Sequence, residues 1–347
     1  MDNTNPFNLT FGIEPYNIIT RIDTKETIVA EFESDFPPNL VYLITGVRGS
    51  GKTVMLSSIA NHFAKKDDWL VIDPGPQDNI LENIAAEIYE AAHMKKWFVK
   101  KEFSFSFHGL SFSLKGETPV SSIMALLKKM LDVLNKKGIK LLITIDEVAK
   151  TDAMKYFIQA YQSLIRQGYL IRLLMTGLYS NVSRLQDDKS LTFLYRAPKM
   201  YMGALSLSAI AANYERLLSV DEERAKTFAK LTKGFPYAYQ VLGYLLFQKQ
   251  ERELTKELLQ QYDQYLATYV YDKVYYELSG KEQEIIRCFT EKEVLKTAEI
   301  IEKTQETSAS ISMYRDRLIK GGILSSPSYG HLELVLPRLK EYLRFKE

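Results

Sequence analysis

The amino-acid sequence predicts an α/β protein in which a parallel sheet is covered by helices on both faces. Short, almost continuously apolar segments alternate with helical segments through residues 1–203, which is the pattern of buried parallel strands. The first of these segments runs into a glycine-rich loop that a helix follows, and from residue 204 onward the pattern is helical. We therefore expect a three-layer domain, a helical domain over residues 204–275 and a small domain over residues 276–347.

The composition excludes several classes of protein. A chain of 347 residues is long enough for two or three domains, and its net charge of +2 predicts no global attraction to nucleic acid. The single cysteine, Cys288, lies in an apolar helical pattern, so we expect a core thiol and neither a disulfide nor a cysteine-rich metal site. No apolar run reaches membrane-spanning length, and the first residues lack a basic-then-apolar leader. We expect a cytoplasmic protein without membrane contact.

Apolar periodicity defines the elements of the first domain. An irregular arm precedes an amphipathic helix over residues 25–36, which Pro37 and Pro38 end. The predicted strands are residues 40–44, 69–73, 141–145, 171–175 and 200–202, and the longest helices between them are residues 120–137 and 152–167.

Residues 103–114 interrupt this alternation. Phenylalanine or leucine alternates with serine on both sides of His108 and Gly109, which predicts a β-hairpin with one apolar face and one hydroxyl face. A flap over a neighbouring helix and a contact surface for another subunit or partner are both consistent with this pattern.

The second half of the chain is predicted to be helical, with a different ending. Ser206 or Ser208 caps one helix, Asp221 begins another, and Gly234-Phe235-Pro236 separates these from further helices. Helices over residues 280–290 and 297–304 are followed by a turn at residues 305–308 and by a third helix, which carries Ile311, Tyr314, Leu318 and Ile319 and which Gly321-Gly322 ends. A hairpin then pairs residues 323–324 with 332–335. This order predicts a winged helix-turn-helix, whose third helix reads nucleic acid in the DNA-binding versions.

The loop at residues 46–53, here called the phosphate loop, reads G-x-x-x-x-G-K-[ST] between a strand and a helix. In that context successive N–H groups and the helix N-terminus face an anion, so the motif predicts phosphate binding and argues against a chance match in a turn. Lysine at its end would reach the β- and γ-phosphates, and threonine would ligate Mg²⁺. The predicted contacts are Gly46, Val47, Arg48, Gly49, Ser50, Gly51, Lys52, Thr53 and Val54.

Two acidic residues end the third predicted strand. Asp146 is placed to hold Mg²⁺, and Glu147 to orient or deprotonate the attacking water. The alternative is an ordinary solvated strand end. Downstream of a phosphate loop, the catalytic interpretation is favoured.

Two further residues are candidates for phosphoryl chemistry. Thr176 ends the next strand and is placed either to contact the γ-phosphate or the attacking water, or to bond its own turn. Arg196 precedes the last strand, where a guanidinium would stabilise charge on the transferred group, in cis or from a neighbouring subunit. Arg184 and Arg172 are weaker candidates, and the alternative for all three is an ordinary surface arginine.

The predicted winged helix is electrically neutral, because residues 276–347 contain twelve basic and twelve acidic residues. DNA contact therefore requires a local excess of positive charge. The third helix offers phosphate and base contacts at Ser310, Ser312, Tyr314, Arg315, Arg317 and Lys320. Asp316 opposes such contact, and packing, autoinhibition or binding of a protein partner is the alternative.

The order of these motifs resembles that of the bacterial and archaeal AAA+ ATPases related to origin-recognition ATPases and to signal-transducing (STAND) ATPases. Residues 5–7, 11–12, 15 and 21 resemble the arm that cups the nucleotide, and residues 145–147, 175–177, 194–197 and 234–237 resemble the second acidic motif, the first sensor, the arginine turn and the lid motif. The resemblance implies a five-stranded sheet in order 5-1-4-3-2, a helical lid, a winged helix, and ATP with Mg²⁺.

The adenine contacts are also expected from this comparison. Ile18 and Ile19 in the arm either pack on adenine or cover the sheet edge, and Pro236 and Tyr237 match the lid motif that packs near adenine. Many AAA+ proteins carry an arginine where the lid helix begins, whereas here Tyr237 follows Pro236. This departure makes an arginine-based second sensor doubtful and implies slow hydrolysis.

Three functions are consistent with the sequence. The first is an ATPase whose nucleotide state moves the lid and the winged helix, for binding of double-stranded DNA or for nucleotide-dependent assembly into a homo-oligomer. The second is a nucleotide-gated scaffold that hydrolyses little and binds a protein partner. A kinase or transferase is less consistent, since no small-substrate pocket is recognisable.

Overall fold

The computed structural model describes residues 5–10, 19, 21–91, 104–107, 110–113 and 122–346. Ile18 lies outside the described residues, so its adenine contact stays a prediction. The strands, in chain order, are β1 (Val41–Thr45), β2 (Trp69–Ile72), β3 (Ser104–Phe107), β4 (Leu110–Ser113), β5 (Lys140–Ile145), β6 (Ile171–Gly177), β7 (Lys199–Tyr201), β8 (Val294–Lys296), β9 (Leu324–Ser325) and β10 (His331–Leu334).

The α-helices alternate with these strands in the first half of the chain and dominate the second half. In chain order they are α1 (Ile22–Glu33), α2 (Lys52–Ala64), α3 (Ile80–Glu90), α4 (Ile123–Lys136), α5 (Asp152–Arg166), α6 (Tyr179–Gln186), α7 (Leu207–Leu218), α8 (Glu222–Leu231), α9 (Pro236–Lys249), α10 (Lys256–Leu266), α11 (Asp272–Glu277), α12 (Gly280–Arg287), α13 (Thr297–Thr304), α14 (Ser308–Lys320) and α15 (Leu339–Phe345). A π-helical segment, Ala267–Tyr271, joins α10 to α11.

The predicted parallel sheet is confirmed. Its strands lie in the order β2-β5-β6-β1-β7, which is 5-1-4-3-2 read from the opposite edge. All described pairs in this sheet are parallel. Because Ile44 pairs with Thr176 and Ile145 with Met175, the carboxyl ends of β1, β5 and β6 meet at one edge.

Apolar side chains cover this sheet on both faces, which explains why its strands read as continuous apolar runs. Every residue of β1 and β6 is buried. On one face Phe157 and Tyr161 of α5 join a large cluster, and on the other Phe32 of α1 and Phe63 of α2 form a second cluster. The Thr151 hydroxyl accepts a 3.1 Å hydrogen bond from the N–H of Met154 and so fixes the start of α5.

The predicted hairpin is present, since β3 and β4 pair antiparallel with Phe105 opposite Phe112. Its turn residues and its side-chain contacts lie outside the described part of the chain, so both interpretations of its role stay open.

The predicted helices of the second half are present with small shifts in their ends. Ser206 caps α7 by accepting from the N–H of Ala209, and Asp221 caps α8 by accepting from the N–H of Arg224. Pro236 occupies the first turn of α9, where its missing N–H has no helical partner.

Residues 276–346, here called the C-terminal region, contain elements that the sequence predicted and two that it did not. The helices α12, α13 and α14 are present, and β9 pairs antiparallel with β10. The short strand β8 pairs with the other edge of β10, and α15 follows. One hydrophobic cluster joins buried residues between Leu205 and Leu343 with Phe7 of the arm and Val47 of the phosphate loop, so the C-terminal region and the preceding helices share a core.

Among the described residues, no helix is both long and apolar enough to cross a membrane.

Candidate nucleotide site

The phosphate loop forms a tight cradle between β1 and α2. Gly49 and Gly51 have positive φ angles of 78° and 86°, which side chains rarely adopt. A Cβ on Gly49 would also lie 2.7 Å from the Phe235 ring. The N–H of Tyr237, in the first turn of α9, donates to the carbonyl oxygen of Gly49 at 3.2 Å. The start of α9 therefore packs directly on the loop, and position 49 has no room for a larger residue.

Lys52 lies inside the cradle as a buried ammonium. Its Nζ donates 3.1 Å hydrogen bonds to the carbonyl oxygens of Gly46 and Val47. Burial lowers the pKa of Lys52 from 10.5 to about 8, although Asp146 and Glu147 act to raise it. Burial disfavours the charged form of this ammonium, and an anionic ligand bound next to it would stabilise that form.

Asp146 connects the loop to the neighbouring strand end. The Thr53 hydroxyl donates to Asp146 Oδ2 at 2.6 Å, and the Thr176 hydroxyl donates to Asp146 Oδ1. The predicted metal ligands Thr53 and Asp146 are thus in direct contact, and Thr176 orients the carboxylate from β6. Thr176 is completely buried, so in this structure it acts as a support for Asp146.

Glu147 extends from the same strand end with its backbone fixed. It has a positive φ of 53°, and its N–H donates to Asp146 Oδ1 at 3.0 Å and to the Thr176 hydroxyl at 3.3 Å. Its carboxylate forms a 3.2 Å ion pair with Arg48. The same guanidinium donates from Nε to Glu277 at 2.8 Å. Arg48 therefore lies between two carboxylates.

A cavity of about 540 Å³, here called the front cavity, opens over the loop. At the loop and the adjacent strand end it is lined by Lys52, Thr53, Asp146 and Glu147. The arm and the helices that follow the sheet contribute Asn8, Leu9, Thr10, Ile19, Pro236, Tyr237, Tyr239, Gln240, Tyr269 and Lys273. Of the predicted adenine contacts, Ile19, Pro236 and Tyr237 line this cavity.

The arm is held on α9 by one close fit. Phe7 is buried against Gly243, where a Cβ would collide with the ring. Next to it, the Asn8 N–H donates to the Gln240 side chain at 3.0 Å. The glycine inside α9 therefore provides the space that places residues 8–10 on the cavity wall.

Polar groups near the loop lack partners among the described residues. The Ser50 hydroxyl and the Arg21 Nε are buried without a hydrogen bond, while Arg21 Nη2 donates to the Ser50 carbonyl oxygen at 3.2 Å. Burial lowers the pKa of Arg21 to about 10. Buried polar groups are usually paired. Arg21 lines the front cavity whereas Ser50 does not, so of these two groups the Arg21 donor fits an anion bound there.

The structure separates the arginine candidates. Arg196 is exposed on a 3₁₀ turn, Leu194–Arg196, and does not line the front cavity. Arg172 is buried in β6, where its Nη1 donates to the Ile171 carbonyl oxygen at 3.2 Å, so it has a structural role. Arg184 is exposed on α6 and lines a different cavity.

That second cavity, here called the rear cavity, has a volume of about 630 Å³ and lies behind the phosphate loop. It separates α6 from the C-terminal region and is bordered by Gly46, Val47, Glu277 and Arg317. Arg317, a predicted DNA contact, therefore faces the sheet domain, and its guanidinium lies over the Tyr314 ring.

The other predicted DNA contacts of α14 lie in different surroundings. Arg315 pairs with Asp316 at 2.9 Å, which reduces its free positive charge. Ser312 and Lys320 are exposed, and Ser310 is partly buried.

Sequence reasoning missed the contribution of the π-helical segment and of α11, which together form one continuous helical stretch, residues 267–277. Tyr269, Lys273 and Glu277 are spaced by four residues, and they face the loop from one side of this segment. The four-residue spacing is a signal of a shared helical face, but it did not identify what that face contacts.

Comparisons with known proteins support the fold. A family described as a domain of unknown function (DUF8462) matches residues 268–343. No curated protein matches the chain. A Walker-type ATPase of Pyrococcus abyssi is similar in structure, with a TM-score of 0.67, 14% identity, and coverage of 97% of this chain and 99% of its own. The ORC2 protein of Aeropyrum pernix has a TM-score of 0.59, 14% identity, and coverage of 97% and 96%. The predicted resemblance to origin-recognition-like ATPases is confirmed at the level of the fold.

Proposed function

We propose that this chain binds ATP with Mg²⁺ in the front cavity and hydrolyses ATP slowly. The observation that carries this proposal is the convergence of Lys52, Thr53 and Asp146 at one end of that cavity. The similar ORC2 structure was solved as ADPNP and ADP complexes, which supports a nucleotide as the ligand.

The residues fit a magnesium–triphosphate group. Mg²⁺ is usually held by one or two protein oxygens together with phosphates and water, and Thr53 with Asp146 provides such a pair. When bound there, Mg²⁺ would neutralise phosphate charge and orient the terminal phosphoryl group. Lys52 would exchange its two carbonyl partners for phosphate oxygens. Arg21 lines the same cavity and has an unpaired Nε donor.

Hydrolysis requires that a water molecule be oriented beside the terminal phosphate. Glu147 is the residue proposed for this step, because its backbone is fixed at the carboxyl end of β5. Arg196 is exposed away from the front cavity, so we assign it to the site of a neighbouring copy in a nucleotide-dependent homo-oligomer. Tyr237 at the start of α9 leaves that position without a cation, which is consistent with slow turnover.

Residues 204–275 would act as a lid and residues 276–347 as a winged helix. Nucleotide contacts from both the loop and the lid would favour the closed arrangement, and hydrolysis would release it. Binding of double-stranded DNA through α14 is the proposed output. The pairing of Arg315 with Asp316 favours the second candidate, a scaffold whose winged helix binds a protein partner.

The first test compares two lysine variants of the full chain. Lys52→Ala should weaken binding of a fluorescent ATP analogue by about 100-fold, because it removes charge-assisted hydrogen bonds to phosphate. Lys65→Ala is the control, since Lys65 is exposed at the far end of α2. Unchanged binding and turnover in Lys52→Ala would refute the proposal.

The second test separates DNA from a protein partner. Duplex binding should be measured at about 50 mM and about 200 mM salt, since phosphate contacts release counterions. Affinity that falls at the higher salt would support DNA contact. Absence of binding at the lower salt would favour the scaffold.

A further inference from the structure

We propose that Glu277 is a positioning residue for ATP hydrolysis. It acts on Glu147 through Arg48, and so turnover depends on the position of the C-terminal region relative to the phosphate loop. This inference rests on the proposed ATPase function and adds a residue that lies outside the front cavity.

The Arg48 guanidinium lies between two carboxylates. Arg48 lines the front cavity and forms ion pairs with Glu147 at 3.2 Å and with Glu277 at 2.8 Å. In the described part of the chain, Arg48 donates a 3.2 Å hydrogen bond to the Glu147 carboxylate. The backbone of Glu147 is fixed, but its side chain is 62% exposed, so Arg48 is what limits its orientation.

Arg48 itself needs an anchor. It projects from a glycine-rich loop, and an arginine held by one exposed ion pair samples many rotamers. Glu277 supplies a second, shorter contact to the same guanidinium. With Glu277 in place the guanidinium is anchored independently of Glu147, and it then holds the Glu147 carboxylate beside the strand end.

Glu277 should move together with the rest of the C-terminal region. It is the last residue of α11, and this helix is tied to the C-terminal region by two contacts of Asp272. Tyr342 donates to Asp272 at 2.8 Å, and Lys346 pairs with it at 2.9 Å. Val274 of the same helix is buried in the shared core. Displacement of the C-terminal region therefore moves Glu277 away from the loop and releases Glu147.

The experiment measures kcat and KM for ATP hydrolysis by the full chain. Glu277→Gln keeps the shape of the side chain and removes its charge, and we expect kcat to fall by about fivefold, within the range of one exposed ion pair. KM should change by less than about twofold, because Glu277 does not line the front cavity. Glu277→Asp, which keeps the charge on a shorter side chain, should be intermediate.

Two controls distinguish positioning from a general structural effect. Glu291→Gln removes an exposed glutamate of the same region and should leave both constants unchanged. In an Arg48→Gln background, Glu277→Gln should have no further effect, since the link that carries its influence is absent.

The outcomes separate this inference from the proposed function. A wild-type chain without ATP turnover would overturn both. Wild-type turnover with an unchanged kcat in Glu277→Gln, or an equal loss in the Arg48→Gln background, would overturn the positioning role alone.

Discussion

The C-terminal region contacts the rest of the molecule in two different ways. Against the preceding helices it forms one continuous apolar core, in which Tyr262, Tyr271 and Leu343 are almost completely buried. Against the sheet domain, described contacts include the ion pair of Arg48 with Glu277 and the approach of the Tyr201 hydroxyl to Gly322. The rear cavity of about 630 Å³ separates the two surfaces elsewhere.

This difference indicates which contact is permanent and which is exchangeable. Burial of a large aromatic side chain stabilises by several kcal/mol, whereas an exposed ion pair contributes about 0–1 kcal/mol. The C-terminal region should therefore move together with the preceding helices. Separation of these helices from the phosphate loop would break the ion pair of Arg48 and expose Val47, the loop residue that is buried in the same cluster. A nucleotide that bridges the loop and the lid is then able to control the exchangeable contact.

The largest expected effect comes from breaking the apolar contact. Tyr271 is 1% exposed, and its hydroxyl donates to the carbonyl oxygen of Pro337. Tyr271→Ala should lower the free energy of unfolding by about 3–5 kcal/mol, since it leaves a cavity and an unpaired carbonyl. Urea unfolding followed by circular dichroism would measure this. Tyr195→Ala, at a site that is 72% exposed, is the control and should change it by about 0.5 kcal/mol or less.

The second effect tests the chemistry at the polar contact. Glu147→Gln keeps a side chain of the same size beside Arg48 but removes the carboxylate. We expect kcat for ATP hydrolysis to fall by about 100-fold or more, as for loss of a group that orients or deprotonates water. Binding of ATP should stay close to that of the wild type, because Lys52, Thr53 and Asp146 are unchanged. Full turnover in this variant would show that Glu147 has no catalytic role.

The sequence predicted local features of the molecule better than contacts between distant residues. The sequence predicted the phosphate loop, the strands and the acidic pair because each has a pattern that is recognisable within a short stretch of residues. The order of the strands was expected from a family resemblance and is confirmed.

Tertiary partners were the part that the sequence did not reveal. Phe7 lies on Gly243 more than two hundred residues away, and nothing local to either residue indicates the other. The strand β8 was missed because Val294 and Lys296 are exposed at its ends and lack an apolar run. The sequence pattern did not single out Glu277, although its partner Arg48 was predicted as a phosphate contact.

A third effect follows from the buried cation on the loop. Burial lowers the pKa of Lys52 to about 8, so above this pH the free site loses the charge that phosphate requires. Phosphate binding favours the charged form and takes up a proton there. Affinity for ATP should be constant below pH 8 and fall by up to about tenfold per pH unit above it, as measured by calorimetry.

The stability of the free protein should have the opposite trend. Between about 8 and the ordinary value of 10.5, the unfolded chain binds more protons at Lys52 than the folded chain does. This group therefore makes folding more favourable as pH rises through that window.

An affinity for ATP that stays constant up to about pH 9.5 would contradict the prediction that Lys52 is neutral in the free site above pH 8.

The smallest effect concerns the second contact with the sheet domain. Gly322 and Gly330 have similar positive φ angles of 76° and 73°, but a Cβ at Gly322 would meet the Tyr201 hydroxyl and one at Gly330 would meet nothing within 4 Å. Gly330→Ala should cost about 1 kcal/mol from backbone strain alone. Gly322→Ala should cost about 1 kcal/mol more, at the low end for overpacking because Tyr201 is half-exposed and able to turn away. In a Tyr201→Ala background the two glycine substitutions should cost the same in urea unfolding, and a difference that persists there would place the strain within the C-terminal region itself.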